Sequence, residues 1–217
     1  MKLALISQPT TTNALAAIQS LLDATTASRQ SRPVNIGYVA SAPDPEREYF
    51  KQTQQLYLSL GANMDTYLEL ETGFSQAAFT ALLQCDVIHL SGGDTQRFLR
   101  AIKQRNMIDT IKHFADNGGA IVGVSAGAML LTPSISSAAL CGDSITDAAC
   151  VLHALHLVDF QFVPHATLAQ TRQRAFQQQL QQLKGPTYVC ADDDALVIID
   201  QQLTRFGQPQ WIQAVSS

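Results

Sequence analysis

The chain has 217 residues, 46% hydrophobic and 15% charged, which is enough apolar material for a sizeable core and shows no composition shift that would mark a second domain. Fourteen Lys and Arg stand against 18 Asp and Glu, a formal charge of -4, so no basic stripe is available for nucleic acid. Apolar runs are broken by Gly and Ser well short of the roughly 20 residues that span a bilayer, and the opening MKLALISQPTTTN holds too few apolar residues for a signal peptide. The expectation is a cytoplasmic protein with neither nucleic acid nor membrane as partner. Cys85, Cys141, Cys150 and Cys190 lie far apart, without the close pairs of zinc or redox sites, and are expected to be reduced. Cys85 and Cys190 fall in apolar strand-like runs and read as small buried hydrophobes.

In chain order, apolar runs of strand length alternate with segments of helical period, the pattern of a mostly parallel sheet with helices on both faces. Residues 2–7 read as a strand, 13–24 as a helix with Leu15, Ile18, Leu21 and Leu22 at helical spacing, and 35–40 as the second strand. A helix over 45–60 stops at Gly61; 64–70 is a third strand and 75–84 a helix. The fourth strand, CDVIHL, ends in Ser91-Gly92-Gly93-Asp94-Thr95, and QRFLRAI opens a helix. A further helix over 107–116 leads to the buried strand AIVGV and then Ser125. Residues 132–147 read as an irregular polar loop, 155–164 as a strand ending at His165, and 167–183 as one helix whose glutamines face solvent. The segments YVCADDDALVIID, LTRF and QWIQ read as short antiparallel edge strands. No internal repeat or linker interrupts this pattern.

Open parallel sheets gather their chemistry beyond the carboxyl ends of the strands. Gly123-Val124-Ser125-Ala126-Gly127, after a buried strand and before a helix, is the pattern of a nucleophile elbow. A serine hydroxyl needs a base, and histidine titrates in the right range. His89 lies in a buried strand and His113 in the last turns of a helix, both structural positions; His153 and His156 straddle the start of a strand. His165, just past a strand end, is the chosen base. A carboxylate should orient its imidazole. Asp143, Asp147 and Asp159 lie between Ser125 and His165; Asp159 falls inside a strand, Asp143 is taken first and Asp147 second. Oxyanion donors would be the amide of Ala126 with Gly92 or Gly93. A strand-to-helix turn with Asp94 as N-cap explains the same glycine loop, and the two roles are compatible.

These residues together resemble peptidase family S51, the dipeptidase E (alpha-aspartyl dipeptidase) type, with cyanophycinase more distant. HLSGGDTQRFLRAI is similar to the family's strand, Gly-Gly-(Asn/Asp)-Thr and helix; GVSAGAMLL to its serine elbow; LVDFQFVPHA to its strand ending in Pro-His. The resemblance implies a single three-layer α/β domain akin to class I glutamine amidotransferases, which carry Cys where this chain has Ser125. It implies a serine hydrolase with Ser125 as nucleophile, His165 as base and Asp143 where the family's aspartate falls, and substrate contacts at Asp94 and Thr95. It further implies selection of an N-terminal aspartate, with Arg172, in a Thr-Arg context, as the cation for its carboxylate. No cofactor and no metal are expected, and the partner is a small peptide substrate acted on by a monomer or homodimer. Two departures bear on substrate identity: Ala166 stands where an aromatic is common, and the stretch from His165 to Arg172 is short. The alternatives are an α/β-hydrolase-type esterase and a non-catalytic peptide-binding or sensing module on the same fold.

Overall fold

The computed structural model describes residues 1–27, 32–146 and 152–213. Its centre is a seven-stranded sheet in the order β3-β2-β4-β5-β1-β8-β9. The strands β1 (Lys2–Ile6), β2 (Asn35–Ala40), β3 (Asn63–Glu69), β4 (Val87–Leu90) and β5 (Ala120–Val124) are parallel. The near-continuous Val, Ile, Leu and Ala content of the inner strands β1, β4 and β5 follows from burial on both faces, whereas β3, at the sheet edge, is mixed and partly exposed. The strands β8 (Ala195–Ile199) and β9 (Gln202–Phe206) extend the β1 side antiparallel, as the sequence suggests. Since β8 runs against β1, its first residues lie at the carboxyl end of the parallel strands.

Helices cover both faces. On one, α1 (Thr12–Thr26) and α2 (Glu48–Ser59) pack Ile18, Leu21, Phe50 and Tyr57 onto Ile6, Ile36 and Val122. On the other, α3 (Gln76–Leu82), α4 (Thr95–Gln104), α5 (Ile108–Asp116) and α6 (Ala126–Leu130) bury Leu82, Phe98, Ile102 and Ile111 against Leu5, Ile88 and Ile121. The spacing of α4 shows why it folds so: Phe98, Leu99, Ala101 and Ile102 form one stripe, and the Asp94 side chain accepts from the Arg97 N–H at the N-cap. No helix among the described residues is long and apolar enough to cross a membrane.

The remainder departs from expectation in instructive ways. The helix expected from residue 45 begins at Glu48, because the Pro-Asp-Pro segment turns and Arg47 sits in the left-handed region. Within the expected irregular loop, Ile135–Cys141 forms a 3₁₀ turn ended by Gly142. The expected strand over 155–164 shrinks to β6 (Gln161–Val163), and the expected single helix splits into α7 (Leu168–Thr171), with a capping box from Thr167 and Gln170, and α8 (Arg174–Gln182), restarted by the extended Gln173. The strand β7 (Thr187–Val189) is parallel to β6, not antiparallel, and β10 (Gln210–Ile212) pairs with it to complete a second, three-stranded sheet.

Candidate active site

The elbow forms because two glycines permit it. A Cβ on Gly123 would lie 2.5 Å from the Gly127 carbonyl oxygen, and one on Gly127 would run into the backbone of Leu90, so only hydrogen at both lets strand, turn and helix approach this closely. Ser125 is thereby held at φ 50°, ψ -107°, a conformation costing an L residue on the order of 1–3 kcal/mol. Its N–H donates to the Ile6 carbonyl (2.8 Å), and the Gly127 N–H donates to the Ser91 carbonyl (3.1 Å), which fastens the elbow to its neighbours. The Ala126 N–H, first in its helix, has no acceptor within that helix. Gly92 packs beside the nucleophile: a Cβ there would lie 3.6 Å from the Ser125 Cβ.

The base arrives from the second sheet. Val163 and Val189 are paired in the parallel β6–β7 ladder, so the chain emerging from each strand heads for the same mouth. His165 lies two residues beyond one and Asp192 three beyond the other. His165 has φ 60°, and its N–H donates to the Ser7 hydroxyl (2.9 Å) just after β1. Its Nε2 lies 2.9 Å from Ser125 Oγ and its Nδ1 2.6 Å from Asp192 Oδ1. An ionised carboxylate only accepts, so the ring proton belongs on Nδ1 and the Nε2 lone pair faces the serine hydroxyl. Both groups are open to solvent, with His165 41% and Asp192 65% exposed.

Asp192 is held by its two neighbours. Asp193 accepts from the Asn13 N–H (3.0 Å) and Nδ2 (2.8 Å) at the start of α1. The buried Asp194 accepts from the N–H groups of Ala191 and Gln208, both at 2.7 Å. Three consecutive carboxylates thus orient an imidazole, cap a helix and close a turn. Beside them a cavity of about 540 Å³ opens, lined by residues including Ala166, Leu168, Thr171, Ala191 and Asp193. Among the described residues no three His, Cys, Asp or Glu side chains cluster to hold a metal ion.

The profile of peptidase family S51 matches residues 3–206, nearly the whole chain. The chain belongs to peptidase family S51. An uncharacterised peptidase of Pasteurella multocida (strain Pm70) is 29% identical to this S51 peptidase over 140 residues, 64% of this chain and 67% of that protein. Peptidase E of Salmonella paratyphi A is 25% identical over 170 residues, 76% of this chain and 66% of its own length, so the matched region spans about two thirds of these relatives. The crystal structure of a peptidase from an acI-B1 Actinobacterium superposes with a TM-score of 0.70, covering 99% of this chain and 95% of that one at 17% identity, a likeness of fold alone. Membership makes the protein a serine-type peptidase, with a mixed α/β fold around a mostly parallel sheet.

The S51 peptidase brings Ser125 and His165 together but not Asp143. That carboxylate accepts from the Thr95 hydroxyl (2.6 Å) and N–H (3.3 Å), drawn to the N-terminal end of α4 where backbone N–H groups are unpaired. Asp192 occupies the place beside the imidazole instead. Asp147 and Cys150 lie outside the described residues. Thr95 is fully buried with its hydroxyl on Asp143, so it has no surface to offer a substrate; Asp94 is exposed and caps α4. Gly92, Gly93 and Ala126 border the mouth, and Arg172 ends α7, its N–H donating to the Gln170 carbonyl and its exposed guanidinium without a hydrogen bond or ion pair among the described residues. Cys190 is buried as expected, whereas Cys85 is only partly so. Cys141 is also partly buried, and burial, with the Asp143 charge, pushes its thiol up to about 12. Asp192 was legible only through topology: an acidic triplet opening a strand that runs antiparallel to β1 must sit at the catalytic mouth.

Proposed function

We propose that this S51 peptidase cleaves short peptides after an N-terminal aspartate, through an acyl-enzyme on Ser125. The observation that carries the reading is the continuous relay of hydrogen bonds from Ser125 Oγ through His165 to Asp192, at 2.9 and 2.6 Å. In the forward step Oγ attacks the scissile carbonyl carbon while its proton passes to His165 Nε2, and the imidazolium is steadied by Asp192. The carbonyl oxygen takes the negative charge, facing the N–H groups of Ala126 and Gly93. The C–N bond then breaks, Nε2 returns its proton to the leaving amine, and the aspartyl acyl group stays esterified to Ser125. Water attacks the ester with His165 again as base, releasing aspartate and restoring the hydroxyl.

Preference for aspartate rests on Arg172. It follows Thr171, which lines the cavity beside His165, and its guanidinium has no ion-pair partner among the described residues, so it can meet a substrate carboxylate as a bidentate pair. Assay of the purified protein against Asp-X, Glu-X and beta-aspartyl dipeptides tests both parts. Asp-X should turn over fastest, and Ser125→Ala should lose on the order of 10⁶-fold in kcat with an unchanged melt. Turnover surviving in Ser125→Ala would overturn the acyl-enzyme; equal rates on neutral dipeptides would overturn the acidic preference.

A further inference from the structure

The backbone side of the mouth is held by a residue in no motif above. Ser41 follows β2, is 8% exposed, and donates from Oγ to the Gly92 carbonyl oxygen at 2.6 Å. Its own N–H donates to the Ser91 hydroxyl at 2.9 Å, and the Ser91 N–H donates to the Val39 carbonyl at 3.2 Å. The end of β2 is therefore fastened to the first two residues of the glycine loop.

Sheet order gives this fastening a direction. The strand β4 lies between β2 and β5, so the loop leaving β4 has Ser41 on one side and Ser125 on the other. The Gly92 carbonyl points at Ser41. The peptide joining Gly92 to Gly93 is planar and trans, which sends its N–H opposite to its C=O, away from β2 and toward the β5 side where Ser125 stands. Gly93 completes the fit. It sits at φ +140°, where L side chains are strained, and a Cβ on it would collide with the Ser41 hydroxyl. The hydroxyl thus occupies the space that the missing side chain leaves open.

We infer that Ser41 is a positioning residue that fixes the Gly92–Gly93 peptide so that the Gly93 N–H faces the oxygen developing negative charge during attack by Ser125. This rests on Ser125 being the nucleophile as proposed above. Ser41 touches no reacting atom; it removes the rotational freedom of one peptide plane, so that the donor is aimed before charge appears. Without it the plane can turn and present the Gly92 carbonyl, an acceptor, to the oxyanion.

The test uses a fluorophosphonate probe, whose phosphoryl oxygen needs the same donors as a scissile carbonyl. Labelling the intact protein to completion counts folded, competent sites, so the labelling rate constant is independent of how much of a variant is folded. Ser41→Ala should label about ten- to a hundredfold more slowly than the parent, less than the 10²–10³ expected for deleting a donor outright. The pH midpoint of labelling should stay put, because His165 and Asp192 are untouched, and Ser41→Thr, which keeps the hydroxyl, should recover most of the rate. On any dipeptide that is turned over, the loss should fall on kcat and leave KM within about twofold. Labelling of Ser41→Ala at the parent rate would overturn the positioning role alone, as would a slow rate in Ser41→Thr. A parent protein that fails to label at Ser125 would overturn the nucleophile and this inference together.

Discussion

The two walls of the catalytic mouth are built from different material. One is backbone: the Gly92–Gly93 loop and the elbow, wedged between β4, β5 and α6, with Leu90, Val124 and Ala126 buried beneath. The other is side chain: His165 and Asp192, half-exposed, projecting from a small second sheet and held by Ser7, Asp193 and Asp194. Groups that stabilise charge by position alone gain from rigidity and from exclusion of water, whereas a proton carrier must be reached by the leaving amine and by incoming water. The division sets the Ala126 amide in buried backbone and the proton-transferring side chains where solvent arrives, with the exposed Gly93 at the rim between them.

Asp192→Asn tests the side-chain wall most directly. A buried orienting aspartate is worth about 10⁴-fold in a serine hydrolase, but Asp192 is 65% exposed and water can take over part of its role. The expected loss in kcat is on the order of 10³-fold, about 4 kcal/mol of barrier, with the melt unchanged. A loss under tenfold would show that Ser7 and the backbone orient His165 without help. Gly127→Ala tests the opposite wall and should act on the fold: its Cβ meets the Leu90 backbone, which cannot swing aside as a side-chain end could. Urea unfolding should show a cost of about 3 kcal/mol, the upper end for overpacking a core. A fully stable Gly127→Ala would mean that α6 can move away from β4, and that this wall is softer than its packing indicates.

The contrast between the walls is also a contrast in legibility. The backbone wall was readable because each of its parts is local: a buried strand, then glycines, then a helical stripe, all within ten residues of Ser125 or Ser91. His165 was readable as a polar residue just past an apolar run. Asp192 is not, because it lies beyond both Ser125 and His165 in the chain, and nothing in a single chain says that β7 pairs parallel with β6 to deliver residue 192 beside residue 165. Three-residue strands such as these carry too few alternations to define a period. Ser41 was invisible for a related reason: its partner is a backbone carbonyl 51 residues away.

Beneath the backbone wall, His89 supplies a pH-dependent measure of how tightly it is packed. The ring is buried in β4, accepts or donates at Nδ1 to the Tyr57 hydroxyl (3.0 Å) and stacks on Tyr38. Burial pushes its pKa down from 6.5 to about 3. The unfolded chain therefore takes up this proton below pH 6.5 while the folded chain refuses it until about pH 3. The stability tied to the neutral ring is complete above pH 6.5 and is lost as the pH falls, at about 1.4 kcal/mol per unit. Unfolding free energies at pH 7, 6, 5 and 4 should show that slope, and His89→Gln, which keeps an amide for Tyr57 and cannot titrate, should lack it. An identical acid response in the variant would assign the sensitivity to other groups.

Asp143 provides the smallest effect and the finest discrimination between the walls. From sequence order alone it is the expected partner of His165, and Asp143→Asn would then cost several kcal/mol of barrier. In the fold it binds Thr95 at the start of α4, behind the glycine loop, and so belongs to the support of the backbone wall. An asparagine there still accepts from the Thr95 hydroxyl and gives up only the favourable charge at a helix N-terminus, about 1 kcal/mol or less of stability. Turnover should fall by no more than a few-fold, and the pH profile of turnover should keep the parent's shape. The Cys141 thiol, raised in part by the Asp143 charge, should become easier to ionise. If Asp143→Asn instead matched Asp192→Asn in lost turnover, the carboxylate that serves the imidazole during catalysis would be the one bound to Thr95, and the loop over 142–146 would have to leave α4 to reach it.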